Sequence, residues 1–590
     1  MEDKTILKGG EYLIKQTAPA AVFCPEDFDD ELRMIAQTAK EFVANEVVPK
    51  LDRLEKLEPG LSEELMRQAG ELGLLGIEVP EEYGGMNLSK TAAVVVSEYI
   101  AGSSGFNTTI SAHQTIGTLP LAYFGTEAQK KKYLEKLATG TWVSAYALTE
   151  PEAGSDALGG RTQAVLSDDG SHYILNGTKM WISNAGFASL FTVFAKIDGD
   201  RKKFSAFLVE RDTPGLSFGA EEKKMGIKSS STRQVILQDV RVPVENLLGE
   251  PGQGAKIAFN ILNSGRFKLG AGCVGAAKQL IGISTRYAQE REQFRVPISS
   301  FGMIREKLAE MAIRTYAVEA ATYRTIGMID EAIGEDKSPR NTLACIEEYA
   351  IECSMIKILG SELLDYVVDE AVQIHGGYGY SSDYPVELAY RDARINRIYE
   401  GTNEINRLII PGMLVKRAMK GHLHLLEALE EGNGKTTFSE LDEPDNPLVK
   451  ELSLLETMKK IALLVLGSAA LKYRENFDRE QEILSRCADI ITLIYAGESA
   501  CMRTLKHYRS GKNSETAIAM TRAWVHATAP QAAQWAREAL NHFLEGDDLQ
   551  AHLEMVRAFS ATLPAVDVIA LKQQVASAVL KAGGYPTAVI

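Results

Sequence analysis

From about Pro25 the apolar residues Phe28, Leu32, Ile35, Ala39, Phe42 and Val43 recur every three or four positions, which sets them on one face of an amphipathic helix. Further helical segments follow, separated by PEEYGG (80–85) and the small-residue cluster AGSSGF (101–106). Near Trp142 the pattern changes. In HYILNGTKMWIS the pair Asn176-Gly177 divides two short β-prone runs, which predicts a hairpin. LFTVFAKI, FSAFLVER and QVILQDVRV continue the strand pattern, so 145–245 reads as a small antiparallel sheet. From Gly254 long helices return as far as about Lys420. LEEGNGKTTFSELDEPDNP (429–447) has the composition of a linker, and a further Ala- and Leu-rich helical block follows it. No repeat of fixed period is present. The pattern predicts a multidomain α protein with a central β domain, divided at 25–144, 145–248, 252–420 and 448–590.

A chain of 590 residues exceeds one compact core, in keeping with several domains. Its formal charge of −15 argues against nucleic acid and against attraction to anionic membranes. Six widely spaced cysteines without C-x-x-C fit reduced thiols in a cytoplasmic protein. Nine histidines lack H-E-x-x-H or zinc-like spacing, so no metal site is expected. The opening MEDKTILKGG lacks the basic start and apolar core of a signal peptide. The apolar run IALLVLGSAAL (461–471) is too short to span a bilayer. The surrounding segment 456–474 reads as a packing helix in preference to a peripheral contact with the inner face of a membrane.

GAGCVG (270–275) matches G-x-G-x-x-G, with Glu290 about twenty residues on. A dinucleotide-binding turn needs a preceding strand, and the flanks here are helical. The small residues therefore predict close helix packing.

Five short segments carry chemistry. YALTEPEAGSDA (146–157) offers Thr149, Ser155 and backbone N–H groups around Gly154 to anionic or carbonyl groups. KMWISNA (179–185) sets Trp181 on a hairpin beside Ser183. QEREQF (289–294) ends a helix with Arg291, whose planar fork suits a diphosphate. QIHGGYGY (373–380) permits close backbone approach at Gly376 and Gly377. In RIYEGTNEINRLII, Glu400 stands between two apolar runs, either well paired or kept dehydrated so that it takes up a proton.

Taken together and in this order, the series resembles the acyl-CoA dehydrogenases over residues 28–420. The block after 447, with NSGRF (263–267) and SAHQTIG (111–117), is most similar to the very-long-chain branch and to bacterial long-chain fatty-acid-degrading relatives. The resemblance implies an N-terminal helical domain, a middle antiparallel β-barrel and a C-terminal four-helix bundle enclosing FAD, here with a helical extension. It implies that Tyr146, Leu148, Thr149, Gly154 and Ser155 line the flavin and thioester entrance, with Trp181 and Ser183 on the other side. Arg291, Gln293, Phe294, Gln373 and Gly377 would hold the FAD of a neighbouring subunit, and Thr402 and Glu404 would close over the cofactor. Glu400 would be the base that takes the α-proton of an acyl-CoA, with its own N–H and a ribityl hydroxyl on the thioester oxygen and Gly401 allowing the tight turn.

Some branches carry the base immediately before the equivalent of Arg266. That position is Gly265 here, which leaves Glu400. Arg266 itself reads as an active-site ligand or a structural ion pair. Two departures from the family pattern stand out. Arg295 occupies a position that is often glycine. Asn107 and Ser111, one turn apart at the tail of the acyl pocket, replace the glycines of the very-long-chain pattern, so medium-to-long chains are expected. The extension implies a homodimer, and the family implies an electron-transferring flavoprotein as acceptor. The competing readings are an acyl-CoA oxidase and a non-catalytic scaffold on the same fold.

Overall fold

The computed structural model describes residues 6–425, 445–561 and 563–590. The expected linker therefore lies, apart from its last three residues, outside the described residues. Helix α1 (Asp30–Phe42) buries Leu32, Ile35, Ala36, Ala39 and Phe42, and the Asp29 side chain caps it by accepting from Leu32 N at 2.9 Å. The apolar period predicted an earlier start. Pro25–Asp27 is instead a 3-10 turn, and Phe28 is buried just ahead of the cap. Helix α2 (Lys90–Tyr99) is almost entirely buried, and α3 (Phe106–Ser111) continues into a π-turn at Ala112–Gly117.

An eight-stranded sheet follows: β1 (Ser144–Ala147), β2 (Gln163–Leu166), β3 (His172–Ser183), β4 (Leu190–Ile197), β5 (Phe204–Glu210), β6 (Leu216–Phe218), β7 (Thr232–Pro243) and β8 (Leu247–Leu248). Its order is β6-β7-β3-β2-β4-β5-β8, with β1 also on β4. Two features correct the reading of the sequence. The sheet is mixed: β1 and β2 both run parallel to β4, because each reaches it through a loop and not a tight turn. Asn176-Gly177 makes no hairpin. Strand β3 runs straight through it, and the register against β7 shifts between Leu175 and Gly177. The Asn176 side chain exchanges hydrogen bonds with Asp239 of β7 (3.0 and 2.8 Å), while a side chain on Gly177 would meet Thr162 Oγ1 at 2.4 Å. The pair is a β-bulge.

The bundle consists of α4 (Gly254–Glu290), α5 (Gly302–Ile333), α6 (Ala350–His375) and α7 (Asn403–Met419). GAGCVG lies within α4, as the packing reading requires. A methyl on Gly270 would stand 2.3 Å from Ile356 Cγ2, one on Gly360 2.7 Å from Gly270 Cα, and one on Gly275 1.9 Å from the Glu98 carbonyl. Between α4 and α5 a two-residue turn joins the short strands β9 (Glu292–Gln293) and β10 (Val296–Pro297).

The extension packs α8 (Val449–Tyr473), α9 (Gln481–Arg509), α10 (Glu515–Phe543) and α11 (Val568–Ala582) against this bundle. Helix α8 buries Leu455, Met458, Ile461, Ala462, Val465 and Leu466, so the segment 456–474 is a packing helix. A buried ionic hub ties the parts together. Arg503 pairs with Glu26 (2.8 Å) and Glu319 (2.6 Å). Lys278 pairs with Glu319 and with Glu98 (2.5 Å), and the Tyr585 hydroxyl donates to Glu319 at 2.7 Å. Among the described residues no helix is long and apolar enough to cross a membrane, and no cluster of three or more His, Cys, Asp or Glu side chains is placed to hold a metal ion.

Because backbone and not a flexible side chain opposes Gly275, Gly275→Ala should destabilise the protein by about 2 kcal/mol. A thermal midpoint equal to that of the parent would show that α2 and α4 are not in such close contact.

Candidate functional site

Glu400 sits in the turn that enters α7, with φ +58°, and Gly401 follows at φ +80°. A left-handed conformation at a non-glycine residue costs on the order of 1–2 kcal/mol and needs support from its surroundings. That support is visible. Asn406 Nδ2 donates to the carbonyls of Gly401 (2.9 Å) and Thr402 (3.0 Å), Thr402 caps α7 by accepting from Ile405 N at 3.2 Å, and Arg266 Nε donates to the Glu400 carbonyl at 3.4 Å. Arg266 is buried, and its Nη1 donates to Asn263 Oδ1 at 2.8 Å. These hydrogen bonds make Arg266 a support of the Glu400 turn.

The Glu400 carboxylate points back at α4. A methyl on Gly265 would stand 2.3 Å from Glu400 Oε2, so the missing side chain at 265 is the space the carboxylate occupies. Oε2 is buried and has no hydrogen-bond partner. Burial raises the carboxyl to about 7, against the pull of Arg266 and Lys357 in the other direction. Oε2 is thus shielded from water and unpaired in the folded chain. The Tyr146 hydroxyl is likewise buried without a partner, its phenol held far above its ordinary value by burial and by the Glu400 charge.

The 146–157 segment sends Tyr146 toward this turn, where the Glu400 charge acts on its phenol. Tyr146 and Leu148 are buried, and Met180 N donates to the Thr149 carbonyl at 2.9 Å, which joins the 146–157 segment to the end of β3. Beneath it, Lys179 Nζ donates to Glu150 Oε1 (2.6 Å) and the Leu148 carbonyl (3.2 Å). Trp181 stands on a second bulge of β3, at φ +61° and 54% exposed, and not on a hairpin; Ser183 follows at the strand end. Gly154 and Ser155 are exposed, and nothing stands within 4 Å of where a Gly154 side chain would begin. Asn107 and Ser111 share one face, with Ser111 Oγ donating to Asn107 Oδ1 at 3.1 Å, opposite Gly272 of α4. Gly272 lies about 10 Å along the helix from Gly265. Glu404 is exposed in the first turn of α7.

Arg291, Gln293, Phe294 and Gly377 form a separate group where α4 and α6 end. They line a cavity of about 740 Å³ with Tyr287, His375 and Tyr378, while Gln373 is exposed on α6 outside that lining. Gly376 and Gly377 have open space around them, and Phe294 is 88% exposed. Phe294 and Arg295 are both left-handed (φ +53° and +67°), the geometry of a type I′ turn, so Arg295 occupies a position that favours glycine. From Gly265 to Glu290 helix α4 runs about 38 Å, so this group and Glu400 stand far apart within one chain.

Sequence reasoning missed Lys357 of α6. It is fully buried, and its Nζ donates to Asn403 Oδ1 at 2.6 Å, three residues after Glu400. The signal was present: Lys357 is the lone basic residue in the apolar run AIECSMIKILGSELL.

Family models described as acyl-CoA dehydrogenase N-terminal, middle and C-terminal domains match residues 29–141, 145–240 and 252–413, and a further acyl-CoA dehydrogenase C-terminal domain model matches 457–558. A probable acyl-CoA dehydrogenase of Bacillus subtilis (strain 168) is 47% identical over 588 residues, 98% of each chain. The very long-chain specific acyl-CoA dehydrogenase of Rattus norvegicus mitochondria is 38% identical over 76% of this chain and 70% of its own. A crystal structure of an acyl-CoA dehydrogenase complexed with FAD from Bacillus anthracis superposes with a TM-score of 0.94 at 48% identity, covering 98% of this chain and 100% of that one.

A carboxyl raised on folding means that the folded chain binds its proton more tightly than the unfolded chain. The stability linked to that proton is complete below pH 4.5 and is lost as pH rises through about 7. Glu400→Gln should therefore match the parent near pH 4 and exceed it at pH 8, by up to about 3 kcal/mol. Thermal midpoints at the two pH values give the test; the same difference at both would mean that Glu400 is not dehydrated.

Proposed function

The chain belongs to the acyl-CoA dehydrogenase family, and from that premise we propose that it dehydrogenates medium-to-long-chain fatty acyl-CoA to the trans-2-enoyl-CoA, with Glu400 as the α-proton base and FAD as cofactor. The observation that carries this reading is the buried, unpartnered Oε2 of Glu400 on a left-handed turn. A carboxylate poised near neutrality takes a proton efficiently without being protonated in advance.

The residues fit FAD. Exposed Trp181 and the open backbone at Gly154 offer a flat face with backbone close by. Arg291 and the glycine pair 376–377 offer a cation and close backbone approach where a diphosphate would lie. When bound, FAD supplies the acceptor for the hydride that leaves the β-carbon. The chain does the rest. Tyr146, Leu148 and Thr149 orient the thioester, the Glu400 N–H donates to its oxygen, and apolar packing excludes water from the carboxylate. The Asn107–Ser111 pair closes the far end of the acyl channel, which supports medium-to-long chains over the longest ones.

The length of α4 between Glu400 and Arg291 supports a second role for the Arg291 group, holding the FAD of another copy of the chain in a homodimer. We assign an electron-transferring flavoprotein as acceptor and a cytoplasmic location, the acyl-CoA oxidase being the alternative.

In anaerobic titrations with saturated acyl-CoAs, the oxidised flavin should bleach fastest at medium-to-long chain lengths. Glu400→Gln should keep flavin and acyl-CoA binding while bleaching falls by about a thousandfold; substantial bleaching in that variant would remove Glu400 as the base. Gly265→Ala, which adds only a methyl group against Oε2, should slow bleaching at least about tenfold by displacing the carboxylate. An unaffected rate would mean the carboxylate works from another position.

A further inference from the structure

Lys357 calls for an explanation that packing does not provide. Its ammonium lies at the start of α7, where the helix dipole is positive and a cation is disfavoured. Burial in an apolar run disfavours it as well. Yet it is built into a network. Asn403, the first residue of α7, accepts from Lys357 Nζ (2.6 Å) and from Ser361 Oγ (3.2 Å), and its own amide donates to Ser361 Oγ (3.1 Å) and Glu362 Oε1 (2.9 Å). Every one of these partners belongs to α6. Asn403 immediately follows the turn of Glu400, Gly401 and Thr402, so this network fixes the downstream end of the turn, as Arg266 fixes the Glu400 carbonyl. The charged and titratable groups that act on Lys357 are Cys273 and Arg266 from α4, Glu400 from the turn and Glu362 from α6 itself.

We infer that Lys357 is a positioning residue for Glu400: through Asn403 it holds the left-handed turn that carries the carboxylate, and as an interior cation beside Arg266 it sets how readily that carboxylate takes up a proton. The arrangement explains why an acid with a buried, unpartnered Oε2 stays poised near neutrality and does not become a permanently protonated core residue. Burial alone drives Glu400 upward, and the two cations limit the rise. Burial in turn lowers Lys357 to about 8, so it is mostly charged at the midpoint of the Glu400 titration and loses its proton above that midpoint.

This inference concerns the ionisation of Glu400, and its link to rate rests on Glu400 being the base; the test separates the two. In the holoenzyme labelled with ¹³C-glutamate, the infrared carboxylate band lost in Glu400→Gln reports the Glu400 titration directly. In Lys357→Gln, the midpoint of that titration should rise by about one pH unit, and Lys357→Arg should hold it near the parent value. The acid limb of flavin bleaching should move with it, leaving Lys357→Gln about fivefold slower at pH 7. An unmoved infrared midpoint in Lys357→Gln overturns the inference. A midpoint that moves while the bleaching limb stays put sustains the inference and removes Glu400 as the base. If Lys357→Gln yields no folded holoenzyme, the unmodified protein decides: its Glu400 band should shift again as Lys357 loses its proton, and a band constant up to about pH 10 overturns the inference.

Discussion

The close approach of helix α4 to everything around it is the constraint on which the site depends. Three of its glycines face three different neighbours: Gly265 the Glu400 carboxylate, Gly270 the residue Ile356 of α6, and Gly275 the Glu98 carbonyl of α2. Were α4 a helix of ordinary side chains, α6 would stand further off and the turn before α7 would have no depression to enter. Glu400 Oε2 is buried because the helix beneath it lacks a side chain at one position. Dehydration of Glu400 is thus a packing consequence before it is an electrostatic one, and the raised affinity for a proton follows from it.

Three of the positions assigned to cofactor and chemistry, and Arg295 beside one of them, share a backbone signature. Trp181, Phe294, Arg295 and Glu400 all hold left-handed conformations without being glycine. Each is kept there by neighbours: the β3 bulge for Trp181, the two-residue turn for Phe294 and Arg295, and the Asn406, Arg266 and Lys357–Asn403 contacts for Glu400. Such conformations persist only where the surrounding frame over-determines them. That frame includes the extension. Arg407 of α7 pairs with Glu362 of α6 (2.8 Å) and Asp489 of α9 (2.7 Å), so the helix that starts at the Glu400 turn is anchored on the added block. Arg503 and Glu319 draw the N-terminal segment, the bundle and the extension into one buried ionic cluster. Breaking such a cluster on one side leaves an uncompensated interior charge, which ties the added block to the integrity of the whole.

Two buried lysines show how context decides what a charge does. Lys179 is matched by Glu150 at 2.6 Å and closes a local structural pair beneath the 146–157 segment. Lys357 meets a neutral amide instead, and its field is left to act on Glu400. The same side chain, equally buried, fastens a loop in one place and tunes an acid in the other.

What the sequence determined by itself was local or ordered along the chain. The three-to-four-residue period marked the buried face of α1, the change of period near Trp142 marked the sheet, and helical flanks identified 270–275 as a packing stretch. The apolar runs on both sides of Glu400 marked a carboxylate in an unusual setting, and the joint order of short motifs reached the family. Tertiary structure decided the rest. Asn176-Gly177 is a bulge because Asp239, far along the chain, hydrogen-bonds to it; β1 and β2 run parallel to β4 because of where their loops arrive. Lys357 acts on Glu400 across forty-three intervening bonds of sequence order that only the folding of α6 against α7 closes. Periodicity and turn chemistry are written in consecutive residues, whereas burial, pairing direction and the field on a charge are sums over neighbours that the chain brings together only when it packs.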